Sequence, residues 1–593
     1  MDINRPCGVI ISDFTADALA GLLRNDGQFP PVSATIAPFG QVTQLLLDPS
    51  AGCWQPRPDF AVVWTRPQGI VSSFSSLLDG EAVALEQLLA QVDAFADLLL
   101  DAARRVEYLF VPTWTLPASE RGLGLIDLRR SPGSIGVARA LLEMNLRLAQ
   151  RLDPREATQV QAQEAASPER QADNVFLLDA SRWTGSAGRY AAPTKLWLMG
   201  KVAFGHEVLK EASADIKAGL CGVAGRSRKL VIVDLDDTLW GGIVGEVGWE
   251  NVVCGGHDAV GEALVEFQRG LKALARNGVL LGIVSKNDEA TGLAVLRNHP
   301  EMVLRPDDFA GWRINWEDKA ANIEALVTEL NLGLDATVFI DDNPTERDRV
   351  RQALPQVAVP EWPTDKMAYP DALRALRCFD KPAITAEDGS RQQMYLEERR
   401  RGEALQSTLA SSATLDEWLS TLALTVTARV LDSGDLKRAA QLLNKTNQMN
   451  LASRRMSEAD FLHWSRQPGR RVLVFYVSDR FGDAGLTGIA SVEVDEASSE
   501  ALARGAELAD FLLSCRVMGR GVEEAMLSAA VEVARSAGVA NLTARVAPTE
   551  RNNPCLRFYR ERSGFVAGDV EGTFVWHTGR EYPIPAHVRL ELA

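Results

Sequence analysis

Asp234 and Asp236 close the apolar run Leu230-Val-Ile-Val233, and their placement is the strongest chemical signal in the sequence. Such a run reads as a buried strand, and carboxylates at its end are costly unless they meet a cation or do chemistry. The period-2 geometry of a strand turns both acids the same way, at the carboxyl edge of a sheet, where open α/β sheets bind ligands. Three further signals follow in order. The apolar stretch Gly278–Val284 delivers Ser285, with Lys286 and Asn287 behind it. Lys319 opens a helical pattern through Ala320, Ile323, Leu326 and Leu330. A third apolar run, Thr337-Val-Phe-Ile340, ends in Asp341-Asp342-Asn343-Pro344. Together these supply a carboxylate nucleophile, a second carboxylate for proton transfer, a hydroxyl and a lysine for anionic oxygens, and acids for a hard cation. Those are the parts of a phosphoryl-transfer site.

The elements that must position these residues are α/β, in a chain of 593 residues, too long for a single core. Residues 1–226 alternate strands (Gly8–Ser12, Ala34–Phe39, Phe60–Trp64, Glu107–Pro112, Val175–Asp179) with helical patterns (Ala82–Ala103, Val137–Arg151, Lys195–Leu220). That alternation predicts a doubly wound parallel sheet. The polar stretch 155–173 reads as a surface helix or an insertion. The phosphoryl-transfer residues fall within 227–385, a charged helix is expected over 386–410, and a different pattern of strands and helices fills 411–593. In that last part Arg516-Val-Met-Gly519-Arg-Gly521 enters a helix, presenting backbone N–H groups to an anion at the positive end of the helix dipole.

The bulk numbers narrow the classes. A net charge of −16 argues against a general nucleic-acid or anionic-membrane surface. Seven scattered cysteines without a Cys-x-x-Cys pair fit neither a disulfide scaffold nor a structural zinc site. With no basic-then-apolar leader and no run of 18 apolar residues, a cytoplasmic protein is expected.

Asp-x-Asp-x-Thr at 234–238, with Ser285, Lys319 and Asp341-Asp342 in that order, resembles the haloacid dehalogenase (HAD) superfamily. The resemblance implies that Asp234 attacks phosphorus to form an aspartyl-phosphate. Asp236 would protonate the leaving oxygen and later activate water, while Ser285 and Lys319 bind phosphoryl oxygens. Asp234, Asp342 and the Asp236 backbone carbonyl would hold Mg²⁺, with Asp341 supporting that shell. The Arg516–Gly521 motif, with Asn552-Asn-Pro-Cys-Leu-Arg-Phe-Tyr559 and Ser563-Gly-Phe565, resembles the N-acetyltransferases of the GNAT type, which implies an α+β domain over 411–593. There Arg516, Gly519 and Gly521 would bind coenzyme A or a pantetheine arm, and Asn287 is placed with the ligand-binding residues of the first site.

The longer stretches Asp234–Glu246, Val284–Glu289, Asn315–Lys319, Phe339–Pro344, Asn444–Asn450 and Leu513–Gly519 resemble the FkbH-like subgroup of HAD proteins, over about 228–593. The N-terminal third resembles the SGNH-like domain of longer members. Ser12-Asp13 is its nearest trace of a nucleophile, so this part reads as a non-catalytic scaffold. The implied activity dephosphorylates 1,3-bisphosphoglycerate and loads the glyceryl group onto the phosphopantetheine thiol of an acyl carrier protein in polyketide-type biosynthesis. A phosphatase for another phosphorylated metabolite, its C-terminal domain a coenzyme A-dependent N-acyltransferase or a carrier docking module, is the alternative. Many relatives carry Cys where this chain has Val284, which leaves Cys515 and Cys555, and then Cys254, as candidate acyl carriers. Trp240, Gly241, Gly242 and Gly245 read as a flap or a plain hairpin, Asn447 and Gln448 as ligand contacts or a solvated helix end. His577 and His587 are candidate bases for a thiol.

Overall fold

The computed structural model describes residues 5–117, 120, 130–131, 134–153, 174–256, 258–381, 386–410, 414–446, 448–452, 454–494, 505–549 and 552–593. The expected segment 155–173, Asn447 and the side chain of Cys515 lie outside the described residues.

The first sheet comprises β1 (Cys7–Ser12), β2 (Ser33–Ile36), β3 (Phe60–Trp64), β4 (Tyr108–Pro112) and β5 (Val175–Leu178), ordered β2-β1-β3-β4-β5 with every pair parallel. A parallel sheet is covered on both faces, so its strands read as continuous apolar runs. Alternation divides those runs between two cores. Val9, Ile11, Ala61 and Val63 pack with Leu88, Val92 and Leu99 of helix α1 (Leu85–Ala103). Ile10, Val62 and Trp64 pack with Val208, Leu209 and Ile216 of α2 (His206–Val223). This is the doubly wound arrangement the sequence predicts. The pattern expected as one helix over Lys195–Leu220 is instead two, Thr194–Gly200 and α2. Lys201 turns left-handed between them (φ 54°), and Thr15 takes up the last carbonyls by donating to Gly200 and Lys201.

The second sheet comprises β6 (Leu230–Val233), β7 (Leu280–Ser285), β8 (Gly311–Ile314) and β9 (Thr337–Ile340), in the order β8-β7-β6-β9. Strands β6, β7 and β9 are buried along their whole length. The two strands that end in paired acids, β6 and β9, are therefore neighbours. The helices that follow β7, β8 and β9 each start on a side-chain cap. Asp288 accepts from Thr291 N, Asp318 accepts from Ala321 N at the start of α3 (Lys319–Glu329), and Asn343 accepts from Thr345 N.

Helix α4 (Ala386–Ala410) precedes the third sheet. Nine strands form that sheet: β10 (Leu424–Val430), β11 (Met449–Asn450), β12 (Arg470–Asp479), β13 (Gly482–Val494), β14 (Gly505–Leu513), β15 (Asn541–Arg545), β16 (Val566–Ala567), β17 (Thr573–His577) and β18 (Val588–Leu592). Their order is β16-β17-β15-β14-β13-β12-β10-β18, with β11 paired to β14. Helix α5 (Val522–Ser536) supplies nine buried positions, among them Val522, Ala525, Met526 and Leu527, and α6 (Asn553–Glu561) adds Cys555, Phe558 and Tyr559. Helices and a mostly antiparallel sheet make this part α+β, as expected. Strands β11, β14, β15, β17 and β18 are not predicted from the sequence. No helix among the described residues is long and apolar enough to cross a membrane.

Candidate active site

Strand β6 ends on Asp234, which is 7% exposed. One of its oxygens accepts from Leu235 N (2.7 Å) and the other from Nζ of Lys319 (2.8 Å), the first residue of α3. Oxygens of Asp234, Asp341 and Asp342 lie within 4.8 Å of one another. Two like unit charges at that separation repel by about 3 kcal/mol at an effective dielectric constant of about 20. Three carboxylates so close, two of them buried, are stable only with positive charge among them, and Lys319 supplies some of it. Compact oxygen donors of this kind suit a hard divalent ion, and Mg²⁺ fits the set.

Asp236 stands apart from that cluster. Its carboxylate accepts from the indole N–H of Trp240 (2.8 Å), from Val244 N (3.0 Å) and from the side-chain amide of Asn287 (2.9 Å). Burial pushes its carboxyl above the ordinary value, Val244 and Trp240 partly offset that, and the charge of Asp234 raises it further. A carboxyl held toward its protonated form is suited to donate a proton in acid–base catalysis.

The loop after β6 has its own geometry. Asp237 is left-handed (φ 56°), and its carboxylate accepts from Gly242 N, where φ is +96° and a side chain would be strained. Gly241 and Val253 exchange both backbone hydrogen bonds (2.9 Å each), so the Trp-Gly-Gly segment is closed against Val253 by an antiparallel bridge. Ser285 is buried at the end of β7. Asn315 N donates to its carbonyl (3.1 Å) and anchors the loop that carries Trp316, which is 76% exposed. Asp341 accepts from Asn343 N (2.8 Å), and Arg347 donates to the carbonyls of Asp341 and Asp342 (2.8 and 2.7 Å), holding the second acidic pair in place.

The structure thus brings Asp234, Lys319, Asp341 and Asp342 together, with Asp236 and Asn287 beside them. Asn287, foreseen as a ligand contact, spends its amide on Asp236. Its grip and that of Trp240 were missed; Trp240 at four residues from Asp236 was the available signal.

The cysteine and histidine expectations fare differently. Cys555 is fully buried and its thiol is pushed up to about 12 by that burial, which Asn450 N only partly offsets. A thiol so sealed does not suit an acyl carrier. Val284 is buried within β7. Cys254 is also buried, its sulfur 3.7 Å from the Met302 sulfur. His577 Nδ1 is 2.6 Å from the Asn541 side chain, and His587 Nε2 is 2.9 Å from the Arg520 carbonyl, so both rings are held by structural contacts. In the loop before α5, Gly519 and Gly521 take positive φ (76° and 87°), as the motif requires. The Gly519 N–H, however, is already bonded to Oε1 of Glu523 (2.6 Å). In the first sheet the Ser12 hydroxyl donates to the Phe14 carbonyl (2.7 Å) and Asp13 is paired with Arg66 (3.0 Å).

No protein-family model and no curated protein matches the chain. Among solved structures it is similar to the N-terminal part of BF1531 from Bacteroides fragilis, which contains a phosphatase domain and is complexed with Mg. Identity is 25%, the match covers 64% of this chain and 95% of that one, and the TM-score is 0.53. A shorter match is to an acetyltransferase of Trypanosoma brucei, at 23% identity over 25% of this chain and 96% of that one, TM-score 0.20. Another is to yncA of Salmonella typhimurium with its cofactor acetyl-CoA, at 18% identity over 27% of this chain and 98% of that one, TM-score 0.19.

Proposed function

We propose that the chain is a Mg²⁺-dependent enzyme that removes phosphate from a phosphorylated small molecule through an aspartyl-phosphate on Asp234. The observation that carries this is the Asp234 carboxylate, held by Lys319 among the Asp341 and Asp342 carboxylates, with a protonation-prone Asp236 two residues away. In this reading Asp234 attacks phosphorus, and the leaving oxygen takes the proton of Asp236. The ionised Asp236 then draws a proton from water as that water attacks the aspartyl-phosphate. Inorganic phosphate leaves, and Asp236 is again protonated. Lys319 and the Ser285 hydroxyl hold the phosphoryl oxygens. Mg²⁺ on Asp234, Asp341 and Asp342 would offset the charge on those oxygens. The similarity to a phosphatase domain complexed with Mg supports this reading.

The finer proposal rests on the FkbH-like motifs. The substrate is 1,3-bisphosphoglycerate, and its glyceryl group passes to the phosphopantetheine thiol of an acyl carrier protein. An acyl phosphate is already activated, so a thiol captures it without ATP. The sealed thiol of Cys555, with Val284 ahead of Ser285, favours a second reading, a phosphatase for another phosphorylated metabolite.

Intact-protein mass spectrometry separates the two. The enzyme is incubated with 1,3-bisphosphoglycerate, Mg²⁺ and a phosphopantetheinylated carrier, beside Asp234→Asn and Cys515→Ala. A glyceryl adduct on the carrier, lost in Asp234→Asn, is expected. Phosphate release with no adduct on either protein leaves the phosphatase and overturns the loading step.

A further inference from the structure

The third sheet offers the outline of a coenzyme A site and then fills it with its own chain. That ligand makes two demands that follow from its chemistry. Its phosphates need backbone N–H groups at a helix start, and its extended, amide-bearing arm needs a strand edge to pair with. The loop Arg516–Gly521 and the end of β14, which runs straight into it, are where the two would meet.

Neither is open. Glu523, on the first turn of α5, is 2% exposed, and its Oε1 accepts from Gly519 N inside the loop. Its Oε2 is buried with no hydrogen-bond partner among the described residues. Burial raises this carboxyl above its ordinary value, with the Gly519 N–H opposing. Arg516 turns to α4: its Nε donates to Ser514 Oγ (3.3 Å) and Nη1 rests 2.5 Å from the Met394 sulfur.

The strand edge is taken as well. β14 and β15 run parallel only from Gly505–Asn541 to Leu508–Ala544. Beyond Leu508 that edge of β14 would be bare, but β11 pairs there, Met449 opposite Leu513 and Asn450 opposite Leu512. The insert is fixed on both sides. Leu451 N donates to the Phe511 carbonyl (3.1 Å), and Ala547 N donates to the Leu451 carbonyl (2.9 Å). The buried Asn552 amide donates to the carbonyls of Asn450 (3.0 Å) and Ala547 (2.8 Å). Cys555 and Tyr559 are buried in the same core as this insert.

We infer that the C-terminal domain takes neither coenzyme A nor an acyl-coenzyme A, because Glu523 and the Met449–Leu451 segment occupy the places of that ligand's phosphates and arm. A ligand phosphate at the loop would first have to displace the Glu523 carboxyl from the Gly519 N–H. The inference removes a coenzyme A-dependent N-acyltransferase as the role of this domain, and the same contacts mean that, in the glyceryl reading, a carrier's pantetheine arm is received elsewhere than in this cleft.

The test uses the full chain with coenzyme A and acetyl-coenzyme A. Calorimetry is expected to register no binding at ligand concentrations on the order of 1 mM. Hydrogen exchange is expected to show the Gly519, Leu451 and Ala547 amides protected, and equally so with and without coenzyme A. One-to-one binding at micromolar concentrations overturns the inference. So does rapid exchange at those three amides in the free protein, since the self-filled cleft would then not exist in solution.

Discussion

The second and third sheets each bring an acid to the mouth of a cleft, and they leave it in opposite electrostatic states. At the second sheet three carboxylates crowd within 4.8 Å of one another, one of them held by Lys319, a donor set that suits a cation. At the third sheet one buried carboxyl meets one N–H, and the neighbouring strand edge is paired to its end. The lesson is that a motif marks a place, whereas the charge and hydrogen bonds left over at that place mark a function. The HAD-like residues converge as oxygen donors that a metal and a phosphoryl group would use. The loop that resembles a coenzyme A motif spends its Gly519 N–H on its own chain.

The largest expected effect tests the open side of that comparison. Asp234→Asn should lower phosphate release by at least about 10³-fold in a Mg²⁺-containing assay. Chelation of the metal should abolish the same activity, and added Mg²⁺ should restore it. Retained turnover in Asp234→Asn would end the covalent reading.

A comparable effect tests the closed side. With its thiol pushed up to about 12, Cys555 should react with iodoacetamide at pH 8 on the order of 10³-fold more slowly than a free thiol. Peptide mapping of the labelled native protein reads this directly. Rapid labelling would mean that the insert opens.

Smaller effects sharpen the role of Asp236. Asn287→Ala should cost about tenfold in kcat, as supporting partners of a reacting group commonly do. Trp240→Phe removes a donor that favours the ionised form of Asp236, so its pKa rises further. The protonated acid then persists to higher pH, and the alkaline limb of the kcat profile moves upward. An unmoved limb would assign that limb to another group.

The smallest effect concerns Trp316, exposed on the loop anchored at Ser285. Trp316→Ala should leave stability within about 0.5 kcal/mol in urea unfolding. A rise in KM at unchanged kcat would place Trp316 against the non-phosphate part of the substrate.

Much of the open site was legible because a buried parallel strand is a continuous apolar run, and the acid or hydroxyl that ends it stands out. Asp234, Ser285 and Asp341 each follow such a run, and Lys319 begins a helix behind Asp318, which caps it. The first sheet was legible for the same reason, apart from the break at Lys201, which depends on Thr15 far away in sequence. What escaped has no periodicity to betray it. β11 is two residues long. Glu523 reads as an ordinary first-turn acid, and only its depth reveals that it reaches back to Gly519. The partners of Asp236 come from a loop four residues on and from a strand end 51 residues on.

The two-residue strand β11 also bears on how the protein behaves when concentrated. Without it, the carbonyls and N–H groups of β14 near Leu512 and Leu513 would form an exposed edge flanked by apolar side chains, a template for pairing with a second molecule. By pairing there from within, Met449 and Asn450 leave that stretch of β14 closed to a second molecule, so any change that frees this segment should appear first as self-association.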